Sequence, residues 1–161
     1  MLDKLLNISS SEVSKLLDAA PLITILIAGA DGHIDQKELD WADKVIHIRS
    51  YKSKGELKAY YEQVNEIFDE RLQYFLDHLP QGVGPRSTQI STHLEALNPI
   101  LAKMKPSLGA KFYKSFISLA EHTAKASGGI IGFFNVNKEE AKWLALPMLS
   151  PIFVEEGDEE E

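Results

Sequence analysis

The chain contains no cysteine. Disulfide scaffolds, thiolate zinc sites, iron–sulfur ligation and cysteine nucleophiles are excluded together. Long apolar runs are missing as well. The longest extends only from Ala19 to Ala30, far short of the roughly 18–20 residues that a bilayer core demands. The first residues, Met1-Leu-Asp-Lys-Leu-Leu-Asn, lack the basic start and apolar stretch of a secretory leader. The expectation is a cytoplasmic protein with no membrane span.

The catalytic grammars are also absent. Five histidines are present, but none stands in a His-Glu-x-x-His or Glu-x-x-His spacing, which zinc proteases and di-iron bundles require. No Gly-x-Ser-x-Gly elbow, dinucleotide fingerprint or basic aromatic stripe is found. The net charge of −7 comes almost entirely from the last seven residues, which hold six carboxylates; the remainder balances 17 basic against 18 acidic residues. A body so nearly neutral carries no electrostatic footprint for nucleic acid. These absences point to a chain that is not an enzyme.

With 161 residues and 44% hydrophobic content, the chain can bury one sizeable core. Its patterns are helical. Ser9-Ser-Ser-Glu opens a short helix with Val13, Leu16 and Leu17 on one face. Pro21 starts a second, with Leu22, Ile23, Ile25, Leu26 and Ile27 marking it as buried. Leu39, Ala42, Val45, Ile46 and Arg49 recur at helical spacing. Leu57, Tyr60, Tyr61, Val64, Phe68 and Phe75 continue that period in a long helix ended by Pro80. The same stripe includes Tyr74 and reads as core. Gln81-Gly-Val-Gly-Pro-Arg86 reads as a connector, since it lacks the Lys-Ser/Thr and preceding strand of a phosphate loop. Asn98-Pro99 breaks the next helix. Pro106 starts another, which Gly128-Gly129 caps. Trp143, Leu144, Leu146 and Met148 face a last helix closed by Pro147 and Pro151.

The expected architecture is all-α: a single-domain helical bundle of about seven helices over residues 1–154, followed by an acidic, disordered tail at 155–161. Val136-Asn137-Lys-Glu-Glu140 repeats the order of Ile34-Asp35-Gln-Lys-Glu38. The bundle therefore reads as a degenerate internal repeat of helix, Gly turn and capped helix.

The chain centres on Ala28-Gly-Ala-Asp-Gly-His-Ile-Asp-Gln-Lys-Glu-Leu39. On an EF-hand loop with Gly32 at the sixth position, Asp31 falls on the fifth, Asp35 on the ninth and Glu38 on the twelfth. Ile27 and Gly29 replace two oxygen ligands of the first half, so an ordinary EF-hand is excluded. The same residues read as a capping box of Asp35 and Glu38, with Ile34 and Leu39 as its hydrophobic staple. One carboxylate serves both roles without conflict. Asp40, Asp43 and His47 share a face of the following helix, which reads as solvated.

Ala28-x-Ala-Asp-Gly-x-Ile-Asp-x-x-Glu38, with Ala124-Lys-Ala-Ser-Gly-Gly129 ahead of Asn137-x-x-Glu140, resembles the TerB-like family of tellurite-resistance proteins. The likeness spans about Val13 to Met148. It implies a helical bundle with a pseudo-two-fold repeat, whose two acidic motifs together form a divalent-metal site. Matched position by position, Asp31, Asp35, Glu38 and Glu140 are the metal candidates. Ser127 and Asn137 depart from the pattern where carboxylates would strengthen the site. A site built only from oxygen ligands suits Ca²⁺ or Mg²⁺. The resemblance implies a non-catalytic module linked to bacterial stress response. The alternative is a protein-interaction adaptor that holds no metal and uses its acidic turns only as helix caps. In either case the expected partner is another protein.

Overall fold

The structure is a computed structural model and describes residues 1–126 and 138–154. Ser9 opens its central helix, α2 (Ser10–Ala28), with a full capping box: Oγ accepts from the Glu12 amide at 3.2 Å, and the Glu12 carboxylate accepts from the Ser9 amide at 2.9 Å. This helix corrects the expected pair. It runs unbroken through Pro21, which therefore lies inside the helix and does not begin a new one.

Proline removes the donor that would meet the Leu17 carbonyl. Every residue from 19 to 28 is nevertheless buried, and a broken helix there would strand backbone polar groups away from water. Tyr60 supports the backbone beside the interruption, donating its hydroxyl to the Leu16 carbonyl at 2.6 Å. Thr24 Oγ1 donates to the Ala20 carbonyl at 2.8 Å, so this buried hydroxyl is satisfied within the helix.

The other segments surround α2. They are α1 (Leu2–Leu6), α3 (Gln36–Lys52), α4 (Gly55–His78), α5 (Val83–Glu95), α6 (Asn98–Ala102), α7 (Pro106–Lys125) and α8 (Lys138–Trp143). The fold is all-α, and no strand occurs among the described residues. Helices α1, α3, α4, α5, α7 and α8 all pack on α2, and α3 also packs along α4 and α7. The buried side chains form a contiguous cluster reaching from Leu2 to Leu149.

The inward face of α7 is the expected one, with Leu108, Phe112, Phe116, Leu119, Ala120 and Thr123 all buried. Tyr60 meets the Tyr61 and Phe112 rings edge-on at centroid distances of 4.9 and 5.0 Å, a favoured aromatic geometry. Of the aromatic stripe on α4, Tyr60, Tyr61, Phe68 and Phe75 are core, whereas Tyr74 is exposed and stacks on His78 at 4.2 Å.

Two arginines fasten this packing. Arg49 of α3 reaches the Tyr61 hydroxyl at 2.8 Å, the Ser115 carbonyl and hydroxyl at 3.0 Å each, and the Ser118 hydroxyl at 2.9 Å. One guanidinium thus ties α3, α4 and α7 together. Arg71 of α4 grips Asp18 of α2 through two bonds of 2.9 and 3.0 Å.

Two boundaries differ from the sequence expectation. Helix α5 begins at Val83, so Gly84, Pro85 and Arg86 form its first turn and not a connector. The first-turn amides have no intrahelical partner, so a proline costs little there. Helix α8 ends at Trp143. Leu146 then adopts a left-handed φ of 44° with its side chain fully buried, and that burial offsets a backbone conformation unusual for leucine.

Asn98 marks the expected break between α5 and α6, and it also holds the C-terminal segment. Its Nδ2 donates to the Met148 carbonyl at 3.0 Å, and its Oδ1 accepts from the Ser150 amide at 2.9 Å. The Gly128-Gly129 cap, the second turn through Asn137 and the tail at 155–161 lie outside the described residues.

Tyr60→Phe tests the support beside Pro21. The variant keeps the ring and loses the bond to Leu16, so urea denaturation is expected to show a loss of about 1–3 kcal/mol. An unchanged midpoint would show that the helix bridges Pro21 without this hydroxyl.

Candidate functional site

The acidic turn begins where α2 runs out. Gly29 closes the helix with its amide on the Ile25 carbonyl at 2.9 Å. A Cβ at this position would lie 2.7 Å from Arg86 Nη2 and 2.7 Å from Ile34 Cδ1, so a larger residue would push the ends of both side chains aside. Gly32 takes a φ of 98° and reverses the chain. Asp31 is exposed, and its Oδ1 accepts from the His33 amide at 3.0 Å. The Asp35 amide then returns to the Ala28 carbonyl at 3.0 Å, closing the loop.

Asp35 caps α3, its Oδ1 accepting from the Lys37 amide at 2.9 Å and the Glu38 amide at 3.3 Å. Only half of the expected capping box forms. The Asp35 amide is already given to Ala28, and Glu38 is turned into the protein, where 1% of it remains exposed. Glu140 is 4% exposed. Glu38 is the third residue of α3 and Glu140 the third of α8. The two glutamates thus hold the same position on their helices, and both are buried. Among the described residues no group of three or more His, Asp or Glu side chains is placed to hold a metal ion, these four carboxylates included.

Sequence reasoning passed over Arg86. It lies in the first turn of α5 and is 7% exposed. Its Nη2 donates to the Gly29 carbonyl at 2.8 Å and its Nη1 to the Gln81 carbonyl at 3.2 Å. Burial lowers its pKa from the ordinary arginine value. This cation holds the C-terminal carbonyl end of α2, where positive charge complements the helix dipole. The Pro-Arg pair after two glycines was the available signal, and its helical setting was hidden by the loop-like composition.

Further along α3, Asp43 is half-buried and its pKa is raised, first by burial and then by the neighbouring Asp69 and Asp40 carboxyls, with His47 opposing. His122 on α7 is lowered by burial and by the charges of Arg49 and Lys125. Two surface cavities lie away from the acidic turn. One, of about 780 Å³, is bounded by α1, α3 and α4 and includes Leu5, Tyr51 and Glu66. The other, of about 460 Å³, lies between α6, α7 and the C-terminal segment, with Ile152 at its wall.

The fold and turn define an all-α bundle with carboxylates at two helix starts. Comparison with protein-family models, curated proteins and solved structures returns no match to the chain.

Asp35→Ala is expected to lose about 1 kcal/mol in denaturant titration, while Asp35→Asn keeps the cap and stays near wild type. Equal losses would show that charge, and not capping, is what α3 needs at this position. Asp43 supplies a pH test. Its folded pKa lies above its unfolded value, so its contribution is most favourable below the ordinary carboxylate pKa and is lost as pH rises through the folded value. Asp43→Asn is therefore expected to raise neutral-pH stability by roughly half a kcal/mol after solvent screening and to flatten the stability profile in that window. A destabilised variant at neutral pH would reverse the assignment.

Proposed function

We propose that the chain is a non-catalytic, cytoplasmic helical module of TerB type, in which Glu38 and Glu140 are the central pair around a hard divalent cation, Ca²⁺ or Mg²⁺. Asp31 and Asp35 stand on the turn that leads to Glu38 and complete the reading carried by the resemblance. The observation supporting it is the burial of both glutamates, at 1% and 4% exposure, at the third position of α3 and of α8. A hard divalent cation is bound by carboxylate oxygens, and each of these helix starts carries a carboxylate. Tellurite resistance and bacterial stress response enter only through the resemblance.

The second reading is an adaptor without metal. It is favoured by Asp35 Oδ1, which already accepts two amides, and by Asp31 Oδ1, which accepts another. In that reading the turns only build helix starts, and another protein is the partner.

Calorimetry and thermal unfolding with Ca²⁺, Mg²⁺, Mn²⁺ and Zn²⁺ separate the two. The metal reading expects binding heat, and about 2.7 kcal/mol of stabilisation when metal reaches a hundred times its Kd. Both effects should be lost in Glu38→Gln and in Glu140→Gln. Absence of heat and shift at millimolar metal removes the cation and leaves the adaptor.

A further inference from the structure

Helix α3 buries Leu39, Ala42, Val45 and Ile46 and turns a different chemistry outward. At 3.6 residues per turn, Lys37, Trp41, Lys44, Ile48, Tyr51 and Lys52 fall within one arc of about 100° extending roughly 22 Å along the helix. All six are exposed. The large apolar members are open to 41% at Trp41, 43% at Ile48 and 55% at Tyr51.

No Asp or Glu lies inside this arc. Asp40 stands just beyond its edge and accepts from Gln36 Nε2 at 2.9 Å, while Asp43 lies further round, beside Asp69. Lys37, Lys44 and Lys52 make no ion pair among the described residues, whereas Lys58 and Lys103 pair with Glu62 and Glu12. Three cations and three large apolar side chains thus share one face. The sequence reading missed this stripe because Asp40, Asp43 and Glu38 are interleaved with it along the chain and separate from it only on the helix.

We propose that this face of α3 docks flat on an anionic phospholipid surface, with Trp41, Ile48 and Tyr51 entering the headgroup boundary and the three lysines reaching lipid phosphates. Charge complementarity selects an anionic occupant. The choice among anionic occupants rests on residue type. Lysine is depleted from protein–protein interfaces. Lysine stems that lie along apolar surface while their heads stay in water, beside tryptophan and tyrosine, match a bilayer interface. Ile48 at the middle of the arc offers no face on which a base can stack, which disfavours nucleic acid. This docking is peripheral, since no helix among the described residues is long and apolar enough to cross a membrane. It is independent of the metal reading, because Glu38 lies on the buried side of α3.

The test is co-sedimentation of the full chain with phosphatidylcholine vesicles, with and without phosphatidylglycerol. Trp41 emission is read in parallel in a Trp143→Phe background. The expected result is partition onto the phosphatidylglycerol vesicles alone, a blue shift of Trp41, and loss of both at high salt. Lys37→Gln, Lys44→Gln and Lys52→Gln should each weaken partition about five-fold, and Trp41→Ala should weaken it further. Lys103→Gln, outside the face, should leave it unchanged. Circular dichroism confirms the fold of each exposed-site variant. Failure of the full chain to partition, with Trp41 emission unmoved, overturns the proposal, whether the face then takes up an acidic protein, nucleic acid or the chain's own acidic tail. Equal weakening by Lys103→Gln overturns it too, since the attraction would then not belong to this face.

Discussion

The stretch of α2 from residue 19 to 28 has no side that faces water, and the rest of the molecule answers that constraint. A helix apolar all round is stable only when enclosed. Six helices pack on α2, and the buried side chains that share its core cluster come from both halves of the chain: Tyr60, Tyr61 and Phe68 from α4, Phe112, Phe116 and Leu119 from α7. The enclosure also explains why Pro21 can be accommodated. In an exposed helix the lost hydrogen bond and the ring clash would favour a break, but here unravelling would withdraw a continuous apolar surface from the core. Sealing is therefore worth more than regular hydrogen bonding at this point.

Enclosure of that kind leaves little room for unsatisfied polarity, and several interior polar groups are committed to backbone. Thr24 and Thr123 donate to carbonyls one turn back in their own helices. Arg86 serves the carbonyl end of α2 and the start of α5, and Arg49 binds three helices through hydroxyls and a carbonyl. These cations act as structural fasteners. Glu38 and Glu140 are the acidic members of the buried polar set among the described residues.

The helical class, the long α4 and the inward face of α7 were legible because apolar residues recur at a helical period over many turns, where each position reinforces the next. Punctuation was less legible. Pro21 and Pro85 were read as ends or loops, yet one sits in a helix interior and the other in a first turn; proline excludes a donor but does not say whether packing or end position makes the loss tolerable. Asp35 was legible as a cap from its place before an apolar period. Its partner in the expected box was not, because whether Glu38 turns back to the Asp35 amide or inward depends on the Ala28 carbonyl claiming that amide first. Arg86 was invisible for a related reason: burial of a cation is decided by what approaches it in space, and Gly29 lies 57 residues away in sequence.

Helix α3 gathers three separate demands, and their placement around its axis keeps them from interfering. Its inward face supplies the core. Its first turn supplies the Asp35 cap and the buried Glu38. Its outer arc carries lysines and exposed apolar groups that neither of the other two requires. An exposed face under no demand loses little by becoming polar, and α4 carries Glu62, Glu66 and Glu70 on its exposed side, with Tyr74 its one large exposed aromatic. On α3 the exposed face instead keeps Trp41, Ile48 and Tyr51, where contact with water is unfavourable. Because Arg49 holds the helix against α4 and α7, those side chains are displayed from a fixed platform. A rigid platform reduces the ordering cost of docking, so the same clamp that completes the core also prepares the outer face.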